Sequence, residues 1–235
     1  MEATMAGQKW ICMFMLLGLL MLSLEAREPA AWQKRQYDVP LENYELIPNH
    51  IKVPQFSGDS FLKYNDDHFY YNDRIGGKAS SIQMKVRATS PDGLLYWIGG
   101  EEERYRHDYF AIGLKNGYAQ FGYDLGSGEV VITVSGTRID DGQWHTIRVR
   151  RYNQLGQLTI DGTNFNQGRS PGIHKQLDSG STFFIGGMEN ISQTTNGKYT
   201  GGLVGCITDV NLGSTYSTFN LTARAVGEKN IKECS

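Results

Sequence analysis

Between Asp108 and Arg151 apolar residues alternate with polar or small ones: Phe110, Ile112 and Leu114, then Ala119, Phe121 and Tyr123, then Val130, Ile132 and Val134. A period of two places successive side chains on opposite faces of a sheet, so the pattern predicts strands with one face buried. Asn116-Gly117, Gly126-Ser127-Gly128 and Asp141-Gly142 interrupt it. Asn-Gly in particular accepts the positive φ angles of a tight hairpin. The stretch predicts antiparallel hairpins rather than a nucleotide-binding unit.

The same reading places further strands at Ser60–Tyr64, Ser81–Ala88, Leu94–Ile98, Trp144–Tyr152, Gln157–Ile160, Thr182–Ile185 and Leu203–Leu212. Residues 164–180 are expected to be the longest loop. In Trp144–Tyr152, Arg148 and Arg150 alternate with Ile147 and Val149 and face away from the core side. Glycine contributes 28 of 235 residues, above the average of about 7%. With little helical periodicity, this points to an all-β domain with tight turns.

The N-terminus follows another rule. Lys9 precedes an apolar run from Ile11 to Leu24, and Leu24-Glu25-Ala26 closes it with a small residue. This is the layout of a cleaved secretory signal peptide at residues 1–26, the alternative being an uncleaved anchor. Residues 27–53 form a mixed, weakly periodic leader in which Lys34-Arg35 is a candidate processing site. Residues 54–235 form the domain. Cleavage leaves about 209 residues, enough for one sandwich with a full core.

Secretion changes the reading of the cysteines. Cys12 leaves with the signal, and Cys206 and Cys234 remain. An even pair in an oxidising compartment is expected to form a disulfide, worth on the order of 3 kcal/mol by the loop-entropy model. Asn190-Ile191-Ser192 and Asn220-Leu221-Thr222 are acceptor sequences for N-glycosylation. A glycan at Asn190 would restrict partners by occupying space near the rim. The net charge of −2 gives no support for nucleic-acid binding.

Several segments in order carry a family resemblance: Phe56-Ser57-Gly58-Asp59-Ser60-Phe61-Leu62, Asp92-Gly93-Leu94-Leu95-Tyr96, Asp108-Tyr109-Phe110-Ala111-Ile112 and Tyr123-Asp124-Leu125-Gly126-Ser127-Gly128. They continue with Asp140-Asp141-Gly142-Gln143-Trp144-His145, Leu158-Thr159-Ile160-Asp161-Gly162, Phe184-Ile185-Gly186-Gly187 and Gly205-Cys206-Ile207. From residue 56 to 235 the chain resembles the laminin G-like domain, also called LNS, of laminins, agrin, perlecan and neurexins. The resemblance implies a jelly-roll β-sandwich of about fourteen strands in two antiparallel sheets, of the concanavalin A type. It also implies that Cys206 and Cys234 are bonded to each other.

Many members of that family bind Ca²⁺ at the sandwich rim through oxygen ligands. The resemblance places these at Asp108, at the Leu125 carbonyl, and at Thr200 and Gly202. Glycine at 202 offers only a carbonyl where other members carry a side-chain oxygen. With one carboxylate, millimolar affinity or none is expected. The alternative is that Asp108 caps a loop by accepting backbone N–H bonds.

Arg148, Arg150 and Arg151, with Lys115, Arg138 and Lys198, form a candidate strip for heparan sulfate or another acidic glycan. The Glu101-Glu102-Glu103 run would offset it if close in space. Trp97 and Trp144 read as core or cross-strand packing, and His145 as the donor or acceptor of a structural hydrogen bond. None of the five histidines has metal-ligand spacing, and no Gly-x-Ser-x-Gly elbow occurs.

The expected protein is therefore a secreted extracellular-matrix or cell-surface adhesion module and not an enzyme. Its partner would be a glycoprotein, a receptor or a glycosaminoglycan, bound through rim loops with Ca²⁺ as a candidate cofactor. A lectin-like or heparin-binding protein, a carrier of a small apolar ligand, and a glycosidase are the alternatives. The chain stops one residue after Cys234, which leaves open a one-domain protein or part of a longer modular one.

Overall fold

The computed structural model describes residues 51–65, 75–99, 108–213, 218 and 220–235. The signal peptide, most of the leader, Lys34-Arg35 and the Glu101–Glu103 run lie outside them. Fourteen strands occur among the described residues. They are β1 (Pro54–Ser57), β2 (Phe61–Asn65), β3 (Ala79–Ala88), β4 (Gly93–Gly99), β5 (Tyr109–Lys115), β6 (Tyr118–Asp124) and β7 (Glu129–Arg138). β8 (Trp144–Tyr152), β9 (Leu155–Ile160), β10 (Asn164–Arg169), β11 (Thr182–Ile185), β12 (Val204–Leu212), β13 (Gly227–Lys229) and β14 (Lys232–Glu233) follow. Two single-turn helices, α1 (Ile191–Thr194) and α2 (Leu221–Arg224), interrupt the later strands.

The strands form two seven-stranded sheets, ordered β10-β9-β8-β3-β12-β1-β14 and β13-β2-β11-β4-β5-β6-β7, with every paired strand antiparallel. The period of two becomes the packing. Ile82, Met84 and Val86 of β3 and Ile147 and Val149 of β8 meet Ile112, Leu114, Phe121 and Tyr123 of the facing sheet in one buried cluster. Phe110 and Phe121 lie 4.7 Å apart within it. Full burial of such aliphatic side chains contributes about 1.5–3 kcal/mol each.

The expected strands are present, with the short strands β1, β13 and β14 added at the ends of the domain and one more added within it. The first six residues of the predicted long loop are β10, the edge strand paired along its whole length with β9. Its sequence, Asn-Phe-Asn-Gln-Gly-Arg, has no buried side chain. Backbone pairing with β9 and hydrogen bonds from Asn164 Nδ2 to Thr137 Oγ1 at 2.8 Å and from Asn166 Nδ2 to the Thr133 carbonyl at 2.9 Å hold it, so apolar alternation could not reveal it.

The disulfide joins Cys206 in β12 to Cys234 after β14. The chain near Ile51 is tied to the same region. The backbone N–H groups of Lys52 and Val53 donate to the Glu233 carboxylate at 2.8 and 3.2 Å, and Cys234 N–H donates to the Val53 carbonyl at 2.9 Å. The first and last described segments therefore close the same edge.

Candidate functional site

One rim of the second sheet gathers polar groups. Asp108, just before β5, is nearly buried at 3% exposure. Its Oδ2 accepts a hydrogen bond from Asp178 N–H at 2.9 Å. Burial, with Asp178 and Asp124 nearby, raises its pKa against that hydrogen bond and the opposing influence of His174. The loop-capping role considered from sequence is thus present on one carboxylate oxygen.

The loop after β6 brings Leu125 to the same place. Asp124 Oδ1 accepts from Gly126 N–H at 2.8 Å and from Gly128 N–H at 3.0 Å, which turns the chain sharply. His174 Nδ1–H donates to the Leu125 carbonyl at 2.9 Å. Gly126 has φ of 84°, and a Cβ there would lie 2.9 Å from Asp108 Oδ1 and 3.1 Å from His174 Nδ1. Only glycine lets this loop close over Asp108.

Thr200 and Gly202 are not part of this cluster. Gly202 bridges Leu94, which pairs with Gly113, five residues along β5 from Asp108. At about 3.4 Å per residue that is roughly 17 Å away. Gly202 is buried where the turn before β2, the end of β11 and the start of β4 converge. Its N–H donates to the Gly58 carbonyl at 2.8 Å, and a Cβ would lie 2.4 Å from the Gly186 carbonyl oxygen. Glycine there permits close backbone packing; it is not a ligand position that lost its side chain. The second carboxylate beside Asp108 belongs to Asp178, held by Gln176 Nε2–H at 2.8 Å. Its signal was legible only as an acidic residue shortly before β11.

The proposed basic strip also separates. Arg151 is buried and does not face a ligand. Its Nη2 donates to the Gly77 carbonyl at 2.7 Å and Ser80 Oγ at 3.0 Å, and its Nη1 to the Asn153 carbonyl at 2.9 Å. Burial lowers its pKa to about 10, so it stays charged at neutral pH. Position parity explains it: Arg151 follows Ile147 and Val149 onto the inward face. Lys115, Arg138 and Lys198 each face a carboxylate, on Asp92, Asp140 and Glu129. Arg148 and Arg150 point outward from β8, as expected.

Trp97 is buried and stacks on Tyr109 at 5.1 Å. Trp144 is instead 42% exposed on the outer face, where Arg87 crosses its ring at 5.4 Å. His145 lies between Asp161 Oδ2 at 2.7 Å and Asp141 Oδ1 at 3.1 Å. Burial opposes its charge, but these two carboxylates prevail and raise its pKa. A raised histidine pKa stabilises the fold below the unfolded value of about 6.5 and ceases to do so as pH rises through the folded value. The melting-temperature advantage of the native chain over His145→Gln should therefore be larger at pH 5.5 than at pH 8.5. An advantage independent of pH would refute the ion-pair role. Asn190 and Asn220 are both exposed.

Comparison with known proteins bears on family and fold. A family model described as Laminin G domain matches residues 86–215, more than half of the chain. The chain belongs to the laminin G domain family. Rat (Rattus norvegicus) pikachurin is 38% identical over 190 residues, covering 81% of this chain and 18% of that protein. The mouse (Mus musculus) basement membrane-specific heparan sulfate proteoglycan core protein is 39% identical over 133 residues, 56% of this chain and 4% of that protein. The chain thus spans less than a fifth of the length of these relatives. The structure of domains LG4-5 of the mouse laminin alpha1 chain aligns with a TM-score of 0.67 at 21% identity, over 80% of this chain and 48% of that one. That likeness supports the jelly-roll fold. The laminin G domain is a recognition module of extracellular-matrix proteins, among them the basement membrane proteoglycan matched here and laminin itself. Among the described residues, no helix is long and apolar enough to cross a membrane.

Proposed function

We propose that this non-enzymatic module binds an extracellular glycoprotein, receptor or glycan through the rim built from Asp108, Leu125 and Asp178, with Ca²⁺ as the assisting ion. The observation that carries the reading is a nearly buried carboxylate, Asp108, set beside a second aspartate and a backbone carbonyl. Carboxylate and carbonyl oxygens are what a hard cation takes, and a cation would offset the desolvation that burial imposes on Asp108 and the repulsion from Asp178 and Asp124. The residues present therefore fit the ion. Asp108, Asp178 and the Leu125 carbonyl would hold it.

Bound Ca²⁺ would supply a positive centre able to accept oxygen ligands from a partner. The protein's own contribution is positioning: Asp124 fixes the Leu125 turn, and Asp178 N–H orients Asp108. Ile173, 82% exposed beside His174, adds an apolar contact at the same rim. N-glycans at Asn190 and Asn220 belong to this reading.

Thermal unfolding in excess EDTA and then in several millimolar Ca²⁺ tests it. Calcium at ten times its Kd stabilises by about 1.4 kcal/mol, expected as a rise in Tm of about 3–5 °C. Asp108→Asn should abolish the rise while keeping an acceptor for Asp178 N–H. No rise in the native chain would remove the cation from the mechanism.

A further inference from the structure

An edge strand offers unpaired backbone groups to any second strand, and folded chains protect such edges with charges, prolines, bulges or shortness. The edge strands β13 and β14 are three and two residues long and carry Glu228, Lys229, Lys232 and Glu233. The pairing of β7 with β6 is interrupted between Tyr118 and Gln120, and Asn164 and Asn166 of β10 reach across to β7 at Thr137 and Thr133. β10 has none of these protections. It pairs with β9 in an unbroken register over six residues, contains no proline, and is uncharged from Asn164 to Gly168.

The pairing with β9 fixes which groups face the free side. Ser170 N–H donates to the Gln154 carbonyl at 3.0 Å, and bonded pairs alternate with non-bonded pairs along an antiparallel ladder. In this register Leu155–Arg169, Gln157–Gln167 and Thr159–Phe165 are the non-bonded pairs. The N–H and C=O groups of Phe165, Gln167 and Arg169 therefore point away from β9. Gln167 N–H donates instead to the neighbouring Asn166 Oδ1 at 2.9 Å, off the β9 ladder as the alternation requires. The three side chains share the outer face of the sheet and are exposed, Phe165 at 62%.

Reversed, this row is complementary to itself. Antiparallel pairing about a twofold axis at Gln167 sets Phe165 opposite the partner's Arg169, and Arg169 opposite the partner's Phe165. A guanidinium over an aromatic ring is attractive, and the pair occurs twice. At the axis the two Gln167 amides face each other and can exchange N–H···O bonds. On the inner face Asn166 meets the partner's Gly168, where no side chain obstructs it. An unrelated extended segment would match the backbone only; a second copy matches the outer side chains as well.

We infer that β10 pairs antiparallel with β10 of a second copy about an axis at Gln167, joining two seven-stranded sheets into one. Gln167 N–H turns from Asn166 to the partner strand as the pair forms. One short strand is a small contact beside the ~1,200–2,000 Å² of stable complexes, so the dimer is reversible and concentration-dependent. Antiparallel pairing turns the two Asp108 rims toward opposite ends of the dimer, and the pairing itself does not depend on what the rim binds.

The test is sedimentation equilibrium of the full secreted chain in EDTA, from low to high micromolar concentration. A monomer–dimer equilibrium is expected. Gln167→Pro removes an N–H that serves the free edge and not β9, and should weaken dimerisation at least tenfold. Phe165→Lys sets a cation opposite the partner's Arg169 and should do the same. Adding Arg169→Glu to Phe165→Lys should restore dimerisation, because each new lysine then faces a glutamate. Within one copy these positions are about 13 Å apart along the strand, so the rescue reads the intermolecular register. Three results would overturn the inference: a monomer at every concentration, a dimer that both single variants leave intact, or a double variant that dimerises no better than Phe165→Lys alone. Phe165 is exposed, so an unchanged melting temperature in Phe165→Lys separates lost pairing from lost fold.

Discussion

Arg151→Met is expected to lower the stability of the domain by about 3 kcal/mol, because hydrogen bonds to a charged group contribute about 1.5–3 kcal/mol each. The guanidinium has three good partners at 2.7–3.0 Å, two of them backbone carbonyls. Methionine fills much of the volume but leaves those acceptors buried without a donor. The loss should appear as a fall in Tm of about 6–12 °C for a domain of this size. Lysine would recover part of it, since one ammonium cannot span the same set of acceptors. Arg148→Met, three residues earlier and outward, should stay within about 0.5 kcal/mol of the native chain. Equal effects at both positions would show that Arg151 does not anchor the segments around Gly77 and Asn153.

Gly202→Ala should cost about 2–3 kcal/mol, the upper part of the range for overpacking a close-packed site. The added Cβ meets the Gly186 carbonyl oxygen at 2.4 Å and the Gly58 carbonyl oxygen at 3.1 Å. Both obstacles are backbone, so no rotamer change relieves them. Gly202→Asp, the change that would strengthen a ligand set at that position, should be worse and should confer no calcium-dependent stabilisation. Thr200→Ala, two residues away and exposed, should leave Tm unaltered. Thermal melts of the three variants with and without Ca²⁺ decide this. A folded Gly202→Asp chain that gains a calcium response would return this glycine to the rim site.

The two substitutions share a lesson about strand parity and chain crossings. Arg148, Arg150 and Arg151 sit within four residues, interleaved with Val149 and flanked by Ile147 and Tyr152. Only the pleat sends the first two outward and the third inward. Parity was available in the sequence, because Ile147 and Val149 already marked the inward face. What no pattern indicated was that an arginine could stay inside, since its acceptors come from Gly77, Ser80 and Asn153. Gly202 differs. Its neighbours, Gly58, Gly93 and Gly186, are distant along the chain and meet only when both sheets are assembled.

The rim around Asp108 shows the same division. Asp108 and Leu125 were placed by the family resemblance, on an acidic residue entering a strand and on the carbonyl just before Gly126-Ser127-Gly128. Asp178 was not, as it lies in a stretch with no period. His174 reaches the Leu125 carbonyl from 49 residues away.

Alternation of apolar residues, turn dipeptides and ordered motifs determined the all-β class, the two-sheet architecture and most of the strands. They could do so because a strand that buries one face writes that face into every second residue. Tertiary structure alone decided the strands β1, β10, β13 and β14, the partner of Asp108 and the acceptors that keep Arg151 buried. Each depends on backbone pairing or on side chains brought together from separate strands, and neither leaves a period in the sequence.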